Sequence, residues 1–378
     1  MSASPPVADL LPDVRFAGVR AAFQRNLDEG LELGVRFAAH VDGRPVVDLV
    51  GGFADRTRTT PFTARTLAPV FSVSKAMTAV MMARLVEQGR LAYDQPVADV
   101  WPEFGQAGKG AVTVGQALSH QAGLSGFPDA MDPADWFDHD LICARLAAME
   151  PLWPPGTASG YHPLTFGYIA GEIFRRVDGR SLGRALRADV AEPLGLDLWI
   201  GLPEGEDGRV AQLQKPDATP RFGEINTPTR AAFLTKWAAP AGRPSAEWRR
   251  AEMPASNGHA TAAALSRLMA ALACGGAIDG VRILSPEGVA AMARARICGD
   301  DLVLKNYTCW GAGVMRNEGR FAYGPGAQTF GHSGWGGACA FADPERRVAG
   351  AYVMTKQSSD LVGDPRSKRL IAALYEAL

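Results

Sequence analysis

The sequence predicts an α+β (α/β) fold in which an antiparallel sheet, built from both chain ends and flanked by terminal helices, carries a mainly helical insertion. Three observations predict it. Runs rich in β-branched and aromatic residues cluster before residue 55 and after residue 310, helical spacing brackets them at both termini, and 3.6-residue periodicity dominates between. The expected division is residues 1–71 with 300–378 as the sheet domain and 72–299 as the helical one. A ligand cleft is expected between them.

The elements follow in order. Residues 14–29 have helix-like apolar spacing that Gly30 stops. "VRFAAHVDGRPVVDLVGG" then carries two strand-like runs joined at Asp42-Gly43, a pair that suits a two-residue hairpin turn. From Ser72 onward helical patterns recur at 72–88, 114–119, 164–177, 181–191 and 260–274, divided by Pro/Gly-rich loops. Near the end "WGAGVMRN", "ACAFADP" and "RRVAGAYVMT" look like strands, the last two joined by a turn at Asp343-Pro344, before a closing helix at 363–377. No repeat of 20–50 residues and no low-complexity tract is visible.

Composition narrows the function. The 378 residues are 47% hydrophobic and 21% charged, as in an ordinary soluble globular protein, and the net charge of -1 leaves no basic surface for nucleic acid or anionic lipid. The apolar run near 260–274 is broken by Arg267, and "MSASPPVADLLPDVRF" lacks the basic start and apolar core of a secretion signal. The expectation is a cytoplasmic protein that acts on a small molecule, with no membrane or nucleic-acid partner and an oligomeric state left open. Five cysteines, Cys143, Cys274, Cys298, Cys309 and Cys339, form no CxxC pair and are odd in number, which predicts free, buried thiols. The six histidines form no HxxxH or HxH cluster, so neither a metal nor a cofactor is expected.

The first chemical signal is "SVSKAMTAV", with Ser72 and Lys75 three apart where loop turns to helix. A helix entrance favours an alkoxide-like oxygen, and a residue at i+3 returns to the same face. As a base the lysine must be neutral, a differential cost of about 4 kcal/mol that burial and nearby cations could supply. The plainer meaning of the pair is a serine cap beside a solvated lysine. In "WPPGTASGYHPLTFGYIAGEIF", Tyr161 stands just ahead of a helix, placed either to share a proton with Ser72 and Lys75 or to pack as a plain aromatic. In "FGHSGWGGACAFADP", His332, Ser333, Gly334, Trp335, Gly336 and Gly337 run along the lip of a strand, where glycines let a substrate approach the backbone.

Taken together, Ser72-Val73-Ser74-Lys75, Tyr161 and His332-Ser333-Gly334 resemble, in order and spacing, the serine β-lactamase and penicillin-binding-protein superfamily. The class C-type branch is the best match, and within it the family VIII carboxylesterases. The resemblance implies a β-lactamase-like fold and a hydrolase of short- to medium-chain esters, acylated on Ser72, with Lys75 and Tyr161 relaying protons. It also implies an oxyanion site made by the N–H groups of Ser72 and Trp335, or Ala338 under a shifted alignment, and substrate contacts at 332–337. Penicillin reactivity of the lactamase or D,D-peptidase kind, and a non-catalytic scaffold, are the alternatives.

Departures favour the esterase. Tyr161-His162-Pro163 replaces the family's Tyr-x-Asn, and His332 stands at the position of the lactamase strand lysine, free to orient a substrate carbonyl or a neighbouring hydroxyl. No Gly-x-Ser-x-Gly elbow occurs, which argues against the α/β-hydrolase route. His120 is expected to shape a loop near the cleft, and Asn257 to form a turn ahead of a helix. Trp310, Trp335, Phe127 and Trp153 are candidates for the wall of an apolar acyl pocket with no charged anchor.

Overall fold

The computed structural model describes residues 7–378. Nine antiparallel strands form its main sheet, in the order Ala8–Asp9, Arg44–Gly52, Gly34–Val41, Val348–Met354, Cys339–Asp343, Phe330–Ser333, Met315–Arg316, Tyr307–Trp310 and Ile297–Asp300. The first hairpin turns where the sequence places it, with Asp42 at φ 50° and Gly43 at φ 75°, the left-handed pair whose twist matches the flanking strands. Its first strand then pairs with Val348–Met354, Phe37 opposite Tyr352, so the two chain ends close the sheet at its centre.

Helices cover both faces of that centre. Tyr352 points to one face, where the Arg366 guanidinium of the C-terminal helix Pro365–Glu376 lies 5.7 Å from its ring, and the helix Ala17–Asp28 packs beside that helix. Ala349, an odd number of residues away, faces the other side together with His40, whose Nδ1 meets Ser266 on the helix Ala262–Ala273 at 2.8 Å. This explains why all seven residues of Val348–Met354 are buried: a strand covered on both faces has no polar side. The helix at 262–273 comes from the segment read as the insertion, yet it packs on the sheet.

The remaining helices gather into a second body that meets the main sheet at the strand Phe330–Ser333. Its centre is Ser74–Glu87, with eleven of fourteen residues buried, flanked by Thr165–Asp178. A small second sheet, Ala68–Phe71, Gly258–Ala260 and Leu198–Trp199, leads the chain into that central helix.

Three expectations are corrected. Cys298 and Cys309 form a disulfide, because antiparallel pairing sets them directly opposite each other; Cys143 and Cys339 are free and buried as expected, while Cys274 is free but only half-buried. "WGAGVMRN" is not one strand, since residues 311–314 turn between Tyr307–Trp310 and Met315–Arg316. The helix expected at 181–191 is α-helical only over Leu182–Leu186 and continues as a wider π-type turn to Ala191. No described helix is long and apolar enough to cross a membrane.

Candidate active site

The strand Ala68–Phe71 ends in a residue with φ 46°, a left-handed conformation that costs a non-glycine residue about 1–3 kcal/mol. That turn sets Ser72 just ahead of the helix Ser74–Glu87. Ser74, not Ser72, ties down the junction: its hydroxyl donates to the Phe71 carbonyl and accepts the Gly258 N–H at 2.8 Å. The hydroxyl of Ser72 therefore stays available for other partners.

Two side chains take it. Lys75 Nζ lies 3.2 Å from Ser72 Oγ, and the Tyr161 hydroxyl donates to the same oxygen at 2.7 Å. Lys75 is fully buried, and its amine also donates to the carbonyls of Pro163 at 2.8 Å and Ala255 at 3.0 Å. Burial alone holds its pKa well below the ordinary lysine value; the nearby cations invoked from sequence contribute nothing resolved. A neutral amine has two hydrogens, which suit the two carbonyls, and one lone pair, which suits the serine proton. Pro163 thus holds the lysine by its backbone carbonyl.

Tyr161 is positioned from across the molecule. Its N–H donates to Asp301 Oδ1 at 2.9 Å, and its ring stacks on Trp310 with centroids 5.7 Å apart and planes 12° from parallel. Burial raises the phenol pKa, against a smaller lowering by the Ser72 hydrogen bond, so the group is an acid rather than a phenolate. Asp301 escaped the sequence reading because "GDDLVLKN" carries no local pattern; its Oδ1 also accepts the N–H groups of Val303 and Leu304 at 2.9 Å each.

Ser72, Tyr161, His332, Ser333 and Trp335 line one cavity of about 110 Å³, small beside the roughly 300–1,000 Å³ common for drug-sized ligands. A family model described as Beta-lactamase matches residues 19–373. The chain belongs to the β-lactamase family. It is 37% identical over 366 residues to the esterase/beta-lactamase LipL of Mycobacterium tuberculosis, covering 93% of this chain and 83% of that protein. A crystal structure described as a novel penicillin-binding protein homolog from Caulobacter crescentus matches with TM-score 0.97 and 62% identity over 99% of this chain and 100% of that one. A family VIII carboxylesterase matches with TM-score 0.92 and 40% identity over the same shares. The chemistry at the coarse level is that of a serine hydrolase of the β-lactamase fold.

In this β-lactamase-family chain the other sequence candidates are placed as follows. Gly334, Gly336 and Gly337 form the turn after Phe330–Ser333. A Cβ at Gly334 would strike the Val70 carbonyl, and Gly336 (φ 88°) and Gly337 (φ 116°) sit against Gln357 and Asp364. Their missing side chains therefore answer to packing and turn geometry. Ala338 is buried beside that turn, its carbonyl accepting the Gly334 N–H at 2.6 Å. His120, at φ 63°, accepts the His162 N–H through Nδ1 at 3.2 Å and packs edge-on against Tyr161 and Trp310, shaping the loop as expected. His162 donates from Nδ1 to the Gly160 carbonyl at 2.6 Å and accepts the Leu124 N–H at Nε2, with burial pushing its pKa down to about 3. Asn257 binds Met253, Trp248 and Ala251 and so shapes the loop that presents the Ala255 carbonyl.

The expected aromatic wall is corrected. Trp335 lines the cavity, but Trp310 supports Tyr161 from behind, Phe127 packs on Trp136, and Trp153 packs on His162. The apolar lining comes instead from Phe71, Leu164, Phe233, Leu304 and Met315, among others. Nor is the cavity free of charge, since the exposed Arg243 borders it. These residues belong to loops far apart in sequence, and no local spacing marks them.

Proposed function

We propose that the protein is a carboxylesterase for short- to medium-chain esters, working through an acyl-enzyme on Ser72. The observation that carries this reading is the fully buried Lys75 amine, its pKa held well below the ordinary lysine value by burial, donating to two backbone carbonyls and facing a serine oxygen that also receives the Tyr161 hydroxyl. Ser72 Oγ attacks the ester carbonyl carbon as its proton passes to Lys75 Nζ. Oxyanion charge falls to the N–H groups of Ser72 and Trp335. Both residues line the cavity, and neither N–H makes a hydrogen bond among the described residues. One such donor is worth roughly 3–4 kcal/mol in the transition state.

The intermediate then collapses. The carbon–oxygen bond to the alcohol breaks, and Tyr161 gives its proton to the departing oxygen. Lys75, with Nζ 4.8 Å from the centre of the Tyr161 ring, returns the serine's proton to the phenolate. Water then attacks the acyl carbon with the same groups acting in reverse, releasing the acid and restoring Ser72. Esters are favoured over β-lactams because the residues at 163 and 332 supply neither the family amide nor the strand lysine. The likeness to a family VIII carboxylesterase supports the same choice, while LipL is named for both activities.

The test is hydrolysis of p-nitrophenyl acetate and butyrate together with intact-mass labelling by a fluorophosphonate. Turnover, with the adduct on Ser72 and loss of both in Ser72→Ala, is expected. Nitrocefin turnover that outpaces both esters moves the assignment to the lactamase reading, and no adduct at all moves it to a scaffold.

A further inference from the structure

His332 stands on the strand Phe330–Ser333, 2% exposed, and lines the same cavity as Ser72 and Tyr161. Its Nδ1 lies 2.7 Å from the Ser333 carbonyl oxygen. A carbonyl only accepts, so Nδ1 carries a hydrogen. Burial first, and then the neighbouring Lys75, push the imidazole pKa down to about 3, which leaves Nε2 with a bare lone pair in neutral solution. Nε2 is buried, and no donor among the described residues meets it.

Its polar neighbours on the cavity wall differ. Ser72 and Tyr161 bond to each other, and Ser333 Oγ is paired with the Tyr323 hydroxyl at 2.9 Å. Ser256 Oγ has no partner among the described residues, but a hydroxyl both donates and accepts and so discriminates little. Nε2 of His332 only accepts. A buried acceptor left empty is costly, and an occupant that brings a donor relieves that cost. A lysine at this position would draw a carbonyl or carboxylate; this imidazole tautomer meets either with lone pair against lone pair.

The side of the substrate is read from Tyr161. Its hydroxyl is the group that protonates the departing oxygen, and its ring centre lies 6.0 Å from that of His332, which puts the imidazole within reach of the alcohol part of the ester. We propose that His332 Nε2 selects esters whose leaving alcohol carries a hydroxyl a few atoms beyond the ester oxygen: monoesters of diols and glycerol-like polyols, in preference to simple alkyl esters. This rests on the esterase reading above.

The test compares 2-hydroxyethyl butyrate with n-propyl butyrate, which have the same number of heavy atoms. Wild type is expected to favour the hydroxyethyl ester in kcat/KM by roughly tenfold or more. His332→Phe, which keeps a ring but no acceptor, is expected to bring the ratio near one, and His332→Gln, whose amide oxygen accepts, to retain part of it. Active sites are counted by fluorophosphonate labelling of Ser72. Equal wild-type rates on the pair, or a preference that survives in His332→Phe, overturns the proposal. Should the Phe variant fold too poorly to label, the wild-type ratio and the Gln variant still decide. Failure of the esterase reading is seen separately, as absence of p-nitrophenyl butyrate turnover in wild type.

Discussion

Trp310 lies flat under Tyr161, and the hydroxyl at the far end of that supported ring reaches Ser72 Oγ at 2.7 Å. The stack fixes where the Tyr161 hydroxyl points. Because ring and hydroxyl have separate jobs, they can be separated by substitution.

Tyr161→Phe keeps the stack and removes the acid. Activity on alkyl esters should fall by about 10²- to 10⁴-fold, while p-nitrophenyl esters, whose leaving group departs without a proton, should lose much less. Steady-state rates on ethyl and p-nitrophenyl butyrate check this. Equal losses on both would mean that the phenol positions Ser72 and does not protonate the leaving group.

Lys75 gives a signed pH dependence. Its folded pKa is depressed by burial, so from that value up to 10.5 the unfolded chain binds a proton that the folded chain does not. Stability from this group is therefore lowest when acid and rises with pH across that window. Relative to Lys75→Met, whose loss of hydrogen bonds is pH-independent, wild type should gain up to about 1.4 kcal/mol per pH unit between about pH 7 and about pH 9. Urea unfolding of both proteins measures it, and a flat difference would mean a charged lysine in the fold.

Asp301 holds three N–H groups on one oxygen, those of Tyr161, Val303 and Leu304. Asp301→Ala leaves them unpaired in a buried place and should cost about 2–4 kcal/mol, with kcat reduced because Tyr161 is no longer located. Asp301→Asn keeps an acceptor oxygen and should recover most of both. Thermal unfolding with parallel rate measurements separates the two variants.

Ser74→Ala removes the bridge between Phe71 and Gly258. A destabilisation of about 1–3 kcal/mol is expected, since two buried backbone groups lose their partner. The left-handed turn at Phe71 is held by the same bridge, so the ester rate should fall as well. A variant with lowered melting temperature but an unchanged rate would show that Ser72 is placed by the helix alone.

What was legible in the sequence was local or periodic. Asp42-Gly43 specified its hairpin because two consecutive residues supply the whole left-handed turn, and Gly30, at φ 68°, ends the first helix for the same kind of reason. Ser72 and Lys75 were readable because helical geometry brings i and i+3 to one face. The terminal helices and strands showed their periods within a dozen residues each. Tyr161 and His332 came through resemblance, since nothing in their own neighbourhoods points at Ser72.

The tertiary structure decided the rest. Whether Lys75 is a base depends on the Pro163 and Ala255 carbonyls, 88 and 180 residues away, and on the burial they share with it. Asp301 reaches Tyr161 across 140 residues, and Cys298 meets Cys309 through strand register rather than spacing. The tautomer of His332 is set by one carbonyl and a dry wall. A side chain's identity is written in the chain, but its protonation state and free lone pairs depend on which dipoles and how much water surround it, and folding alone sets those.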